Sequence, residues 1–78
     1  MLDSALAHLV KGIVENPGDV TVTASSSGRG QVLEVRVNPE DLGRVIGRSG
    51  RTARSLRTVI GALAGDRTVR VDVVDTDE

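Results

Sequence analysis

Two residue classes are missing from these 78 residues: there is no cysteine, and there is no phenylalanine, tryptophan or tyrosine. Without cysteine, neither disulfides nor thiolate metal sites can staple the fold, and a reducing compartment is permitted. One histidine, His8, is too few for a clustered zinc site or a catalytic triad, so no metal, cofactor or catalytic residue is expected. No hydrophobic run approaches the ~18 residues of a membrane span, and the N-terminus lacks the basic-then-apolar order of a signal peptide. The expected setting is the cytoplasm, away from membranes. The missing rings narrow function further, because the common single-strand binders built on sheets stack bases on exposed aromatics. Any nucleic-acid function here must rest on an aliphatic groove, backbone hydrogen bonds and arginine charge.

What the chain does have is concentrated. Between Leu42 and Gly65 lie five arginines (Arg44, Arg48, Arg51, Arg54 and Arg57) and no acid, while the rest of the chain holds five basic residues and all eleven acids. A listless net charge of −1 thus conceals one positive site. At its centre is Val45-Ile46-Gly47-Arg48-Ser49-Gly50-Arg51. Two glycines at that spacing let the backbone turn sharply and approach a ligand closely. Arginine beside exposed backbone amides suits phosphate.

The length allows one small domain over residues 1–78 with a thin core. Leu2, Leu6, Leu9, Val10, Ile13 and Val14 recur every three or four residues, which predicts an amphipathic helix over 2–15, stopped by Asn16-Pro17-Gly18. Val20, Val22 and Ala24 alternate with polar residues, as do Leu33, Val35 and Val37. These read as two strands of an antiparallel hairpin joined by the Gly/Ser-rich loop 25–30, where Arg29 is placed to graze a nucleic-acid backbone. Asn38-Pro39-Glu40-Asp41 is a helix start, with Asn38 as cap, Pro39 in first position, and Glu40 and Asp41 suited to the positive end of the dipole. That helix is brief because the glycine turn interrupts it. A second helix runs from Arg51 or Thr52 to about Ala64, with Ala53, Leu56, Val59, Ile60 and Leu63 on one face. Val69, Val71 and Val73 alternate in a last strand, and the acidic tail 75–78 is expected to fray. The stretch 38–68 is long enough to return the chain across the sheet, so the last strand can lie parallel to the second. Polar outward positions predict helices on one face only. The expected class is α+β: a three-stranded mixed sheet covered on one face by three helices.

Residues 45–56, Val-Ile-Gly-Arg-Ser-Gly-Arg-Thr-Ala-Arg-Ser-Leu, resemble the signature of KH domains, in which Ile-Gly-x-x-Gly joins two helices. The α-β-β-α-α-β order resembles the type II, bacterial-style arrangement. The resemblance covers essentially the whole chain and is closest to the small bacterial KhpA family, including its Asn-Pro-Glu-Asp-Leu-Gly-Arg-Val-Ile-Gly approach to the turn. It implies a groove that clamps about four nucleotides of single-stranded RNA, or of single-stranded DNA.

On that resemblance Gly47 and Gly50 allow close approach, Arg48 pairs with a phosphate and Ser49 donates a hydrogen bond. The free amides at the start of the second helix point at phosphate. Arg44, Arg51 and Arg54 add charge, Val45 and Ile46 line the floor, and Arg67 and Arg70, with Val69 and Val71, form the opposite wall. Ala53 stands where many KH domains have a bulky aliphatic residue, and Gly65-Asp66-Arg67 is a short loop, so a smaller and poorly selective groove is implied. The family further implies pairing, as a homodimer or with a larger KH protein of the KhpB type, and an RNA-chaperone role in cell-wall synthesis and cell length. The alternative is a protein-assembly module whose RNA contact comes from its partner. An enzyme is disfavoured, because no Walker-type lysine follows the glycines.

Overall fold

The computed structural model describes residues 1–28 and 30–74; Arg29 and the acidic tail, with the readings made for them, lie outside the described residues. The elements are α1 (Leu2–Lys11), β1 (Thr21–Ser27), β2 (Gly30–Arg36), α2 (Leu42–Ile46), α3 (Arg51–Ala64) and β3 (Val69–Val73), with 3-10 turns at Pro17–Asp19, Pro39–Asp41 and Arg48–Gly50. The sheet runs β1-β2-β3, β1 antiparallel and β3 parallel to β2. The fold is the expected α+β arrangement.

Strand β2 is central, and its alternation decides the core. Leu33 and Val35 face the helices and are fully enclosed, as are Leu6 and Val10 of α1, Val45 of α2 and Ile60 of α3. In register with them, Ala24 and Val22 of β1 and Val71 and Val73 of β3 share the inner face. On the outer face the pairs are Thr21 with Arg36, Thr23 with Glu34, and Glu34 with Asp72, a polar surface suited to water.

Three expectations change. Helix α1 stops at Lys11 rather than residue 15. Gly12 is a poor helix former, and Asn16 ahead of Pro17 is forced out of the helical region (φ −118°, ψ 68°). The chain tightens instead through Ile13 N–H to the Val10 carbonyl at 2.9 Å, and Ile13 and Val14 still pack on the core. Second, residues 25–27 belong to β1, opposite Val32, Gln31 and Gly30, so the hairpin loop is far shorter than the Gly/Ser run. Ladder hydrogen bonds belong to the backbone, and pairing overrides serine's low strand preference. Third, Val59 and Leu63 are 44% and 56% exposed, while the buried stripe of α3 is Ala53, Leu56, Ile60 and Ala64. The apolar arc of the helix is wider than the surface packed against it.

Candidate nucleic-acid interface

The glycine turn is assembled from its N-terminal side. The Asn38 side chain accepts the Glu40 N–H at 2.8 Å, Pro39 opens the 3-10 turn, and α2 follows for five residues. It ends where the Gly47 N–H meets the Gly43 carbonyl at 2.8 Å. Gly47 then adopts φ +78°, and a Cβ there would lie 2.7 Å from the Thr52 nitrogen and 2.8 Å from its Cβ. Only glycine meets both demands. Gly50 also has positive φ, +76°, but nothing lies within 4 Å of where its Cβ would be; that side of the turn is open. Between them Ser49 is held at φ 57°, the one described non-glycine residue with positive φ, a conformation costing roughly 1–2 kcal/mol.

The amide expectation is altered. The Gly50 N–H donates to the Gly47 carbonyl at 3.1 Å and the Arg51 N–H to the Arg48 carbonyl, so the first amides at the helix start are spent inside the turn.

At the start of α2 lies a buried carboxylate, Asp41, whose role goes beyond complementing the helix dipole. Asp41 is 3% exposed. It accepts the Glu15 N–H at 3.2 Å, the Asn16 N–H at 3.1 Å and the Asn16 side-chain amide at 3.1 Å. Burial by itself would raise its pKa; the Asn16 side chain, the two backbone donors and nearby Arg44 outweigh it, so the carboxyl titrates below its ordinary 3.8. Asp41 therefore ties the segment after α1 to the start of α2. Nothing in the local sequence marks it, because its partners are 25 and 26 residues away.

The structure sorts the candidate residues by what already holds them. Arg48, Arg51 and Arg54 are exposed and, among the described residues, have no ion pair or side-chain hydrogen bond. They flank the turn and form its free positive charge. Arg44 joins the same end of the molecule, but its Nη2 lies 3.3 Å from Glu15 Oε1. Ile46 is 38% exposed beside the turn, whereas Val45 has no exposed surface; Val45 is core and offers a ligand nothing. Arg67 stands past the far end of α3, roughly 20 Å along the axis from the turn. Its Nε donates to the Ala64 carbonyl at 3.3 Å, and it borders a cavity of about 430 Å³ with Gly28, Gly30, Gln31 and Thr68. Arg70, in register with Val32 on the outer face, donates through Nε to Asp72 at 3.1 Å. The structure does not bring Arg70 to the glycine turn. Val69 is half-buried and Val71 buried on the inner face.

One arginine of the window is held by the sheet. Arg57 donates through Nε to the Val71 carbonyl at 3.2 Å, bridging α3 and β3. Its signal was present as spacing: Arg57 follows Ala53 by four residues and so shares its flank of the helix.

A turn of this backbone geometry, between two helices of an α-β-β-α-α-β chain, invites comparison with known proteins. A family model described as KhpA/KhpB, KH domain, matches residues 3–74. The chain belongs to that family. It is 73% identical over 75 residues to the RNA-binding protein KhpA of Leifsonia xyli, covering 96% of this chain and 99% of that one. It is 68% identical over 77 residues to the protein of that name from Streptomyces coelicolor, covering 99% and 96%. For the Mycobacterium tuberculosis protein of that name the identity is 58% over 74 residues, covering 95% and 91%. No solved structure gives a significant match. A KH domain is a non-catalytic kind of domain. Among the described residues no group of three or more His, Cys, Asp or Glu is placed to hold a metal, and no helix is long and apolar enough to cross a membrane.

Proposed function

We propose that the chain, as one KH domain over residues 1–78, is a non-catalytic binder of single-stranded RNA. The sugar-phosphate backbone passes over Gly47-Arg48-Ser49-Gly50, Arg48, Arg51 and Arg54 neutralise phosphates, and the bases turn toward α3 and the edge of β3, with Ile46 beside them. The observation that carries this reading is the trio of unpaired arginines around a turn that is open at Gly50, where nothing lies within 4 Å of the position a Cβ would take. Arg44 is a reserve charge held by Glu15, and Arg67 reaches only a strand that continues past the end of α3. The RNA-binding name of the KhpA relatives supports the same reading. The test is the Arg48→Asp, Ser49→Asp double variant, measured by retention of labelled single-stranded RNA alongside a thermal melt. The expected result is a fold as stable as the wild type with RNA retention lost; a folded variant that retains RNA unchanged sinks the proposal. Single-stranded DNA run in parallel shows whether the 2′-hydroxyl matters.

The family resemblance extends the proposal to a cytoplasmic RNA chaperone, acting as a homodimer or with a KhpB-type partner in control of cell-wall synthesis and cell length. A second reading, in which the domain serves chiefly assembly, is favoured by one observation. Met1, Val59 and Leu63 are exposed, and Met1 and Leu63 border an apolar cavity of about 230 Å³ with Leu2, Ala5 and Arg67. Sedimentation of the pure protein, alone and with the partner, separates the two: a strict monomer that binds RNA tightly refutes the assembly reading.

A further inference from the structure

The arginines of the acid-free window are held in different ways, and the difference predicts different tasks. Arg48, Arg51 and Arg54 are unattached, which suits contact with flexible phosphates. Arg57 is anchored. Its Nε donates to the Val71 carbonyl at 3.2 Å, and β3 pairing shows which edge that carbonyl occupies. Thr68 accepts the Gln31 N–H at 2.9 Å, and the Val74 N–H donates to Val35 at 2.9 Å. Residues 68, 70, 72 and 74 thus turn their backbone groups toward β2, and Val69, Val71 and Val73 turn theirs to the outer edge. Strand β3 ends the sheet, so Arg57 grips its free edge at the midpoint.

A guanidinium has five N–H donors in one plane. Val71 uses one, and no other side-chain bond of Arg57 occurs among the described residues. The residue is exposed, so the terminal NH2 groups remain available as a rigid fork. Side chains on a helix lean toward its N-terminus, which carries the Arg57 stem back over Ala53, toward the glycine turn. Ala53 is 5% exposed, and its methyl group leaves that path clear where a bulky aliphatic residue would obstruct it. A small residue at position 53 thus suits a long side chain at position 57.

We infer that Arg57 reads a base: anchored to the outer edge of β3, it presents two parallel donors to a nucleobase with two adjacent acceptors. Guanine offers O6 and N7, and cytosine offers O2 and N3; adenine and uracil have no such pair. This rests on the RNA-binding reading and adds selectivity to it. Because the fork is already ordered by Val71, little side-chain freedom is lost when a base docks.

The experiment measures binding by fluorescence anisotropy to four labelled eight-nucleotide RNAs, uridine runs carrying one central guanosine, cytidine, adenosine or uridine. A bidentate pair predicts that the wild type prefers the guanosine or the cytidine oligomer to the uridine one by roughly 5- to 150-fold. Arg57→Gln brings that ratio close to one. Arg57→Lys, which keeps the charge but has no fork, does the same, and it decides the matter should the glutamine variant melt early. Equal wild-type affinity for all four RNAs, or a preference that survives Arg57→Lys, overturns the inference while leaving the RNA-binding reading intact provided Arg48→Asp, Ser49→Asp still abolishes binding. No wild-type binding to any of the four overturns both.

Discussion

Raising the salt concentration around a protein–RNA complex counts the phosphates the protein has neutralised, because each contact releases condensed counterions. The structure supplies the number. Of the window's arginines, Arg44 is paired with Glu15 and Arg57 is bonded to Val71, which leaves Arg48, Arg51 and Arg54 for phosphate. Three contacts to a single strand predict a slope of log K against log salt of about −2.1, so moving from 50 to 200 mM salt weakens binding roughly 18-fold. Arg51→Gln should lower the slope to about −1.4, a loss of only about sevenfold over the same range. Glu15→Gln acts in the other direction. It releases Arg44 as a fourth cation, steepening the slope to about −2.8 and raising affinity at low salt. Arg70→Gln should leave the slope where it was, since Arg70 lies on the outer face with Asp72. Anisotropy titrations of a mixed-sequence eight-nucleotide RNA at four salt concentrations measure all of these. A wild-type slope steeper than about −4, or one indifferent to both Arg51→Gln and Glu15→Gln, would refute the division of the arginines into free and held.

Replacing Gly47 by alanine should destabilise far more than the same change at Gly50. Both have positive φ, worth about 1–2 kcal/mol or several degrees in Tm, but only Gly47 would also drive a Cβ into the backbone of Thr52; comparison of the two melting temperatures checks this. Ile60→Ala, at a fully enclosed position, should cost about 2–5 kcal/mol in urea denaturation. Leu63→Ala, at 56% exposure, should fall within about 0.5 kcal/mol if the protein is monomeric, and a larger loss that grows with protein concentration would mark Leu63 as an assembly contact. Asp41 sets an acid limit. Its pKa lies below 3.8 in the folded chain, so its contribution is complete above the unfolded value and is lost as pH falls through the folded one. Urea midpoints of wild type and Asp41→Asn, taken from pH 7 to pH 2, should therefore converge at the acid end.

The element order and most of the core follow from local pattern. Alternation over 33–37 and 69–73, and the Asn38-Pro39 start, reflect short-range sterics and burial that act the same way wherever the segment ends up. The glycine turn was equally legible, since positive φ at Gly47 and Gly50 is a backbone demand that the residue type announces. Where a boundary moved, Gly12 had ended the first helix early at Lys11, and at the serines of β1 a partner strand had outweighed propensity.

The sequence by itself determined that five arginines without an acid would gather around a sharp glycine turn, because that depends only on nearby residues. Which of those arginines are free was decided by tertiary structure. Glu15 reaches Arg44 from 29 positions away, and Val71 takes the Arg57 guanidinium only because β3 ends the sheet beside α3. Likewise, five apolar residues marked one side of α3, but the packing of the other elements left Val59 and Leu63 in solvent. Charge and periodicity belong to the chain; partners belong to the fold, because a hydrogen bond or an ion pair needs an acceptor that only folding brings within reach.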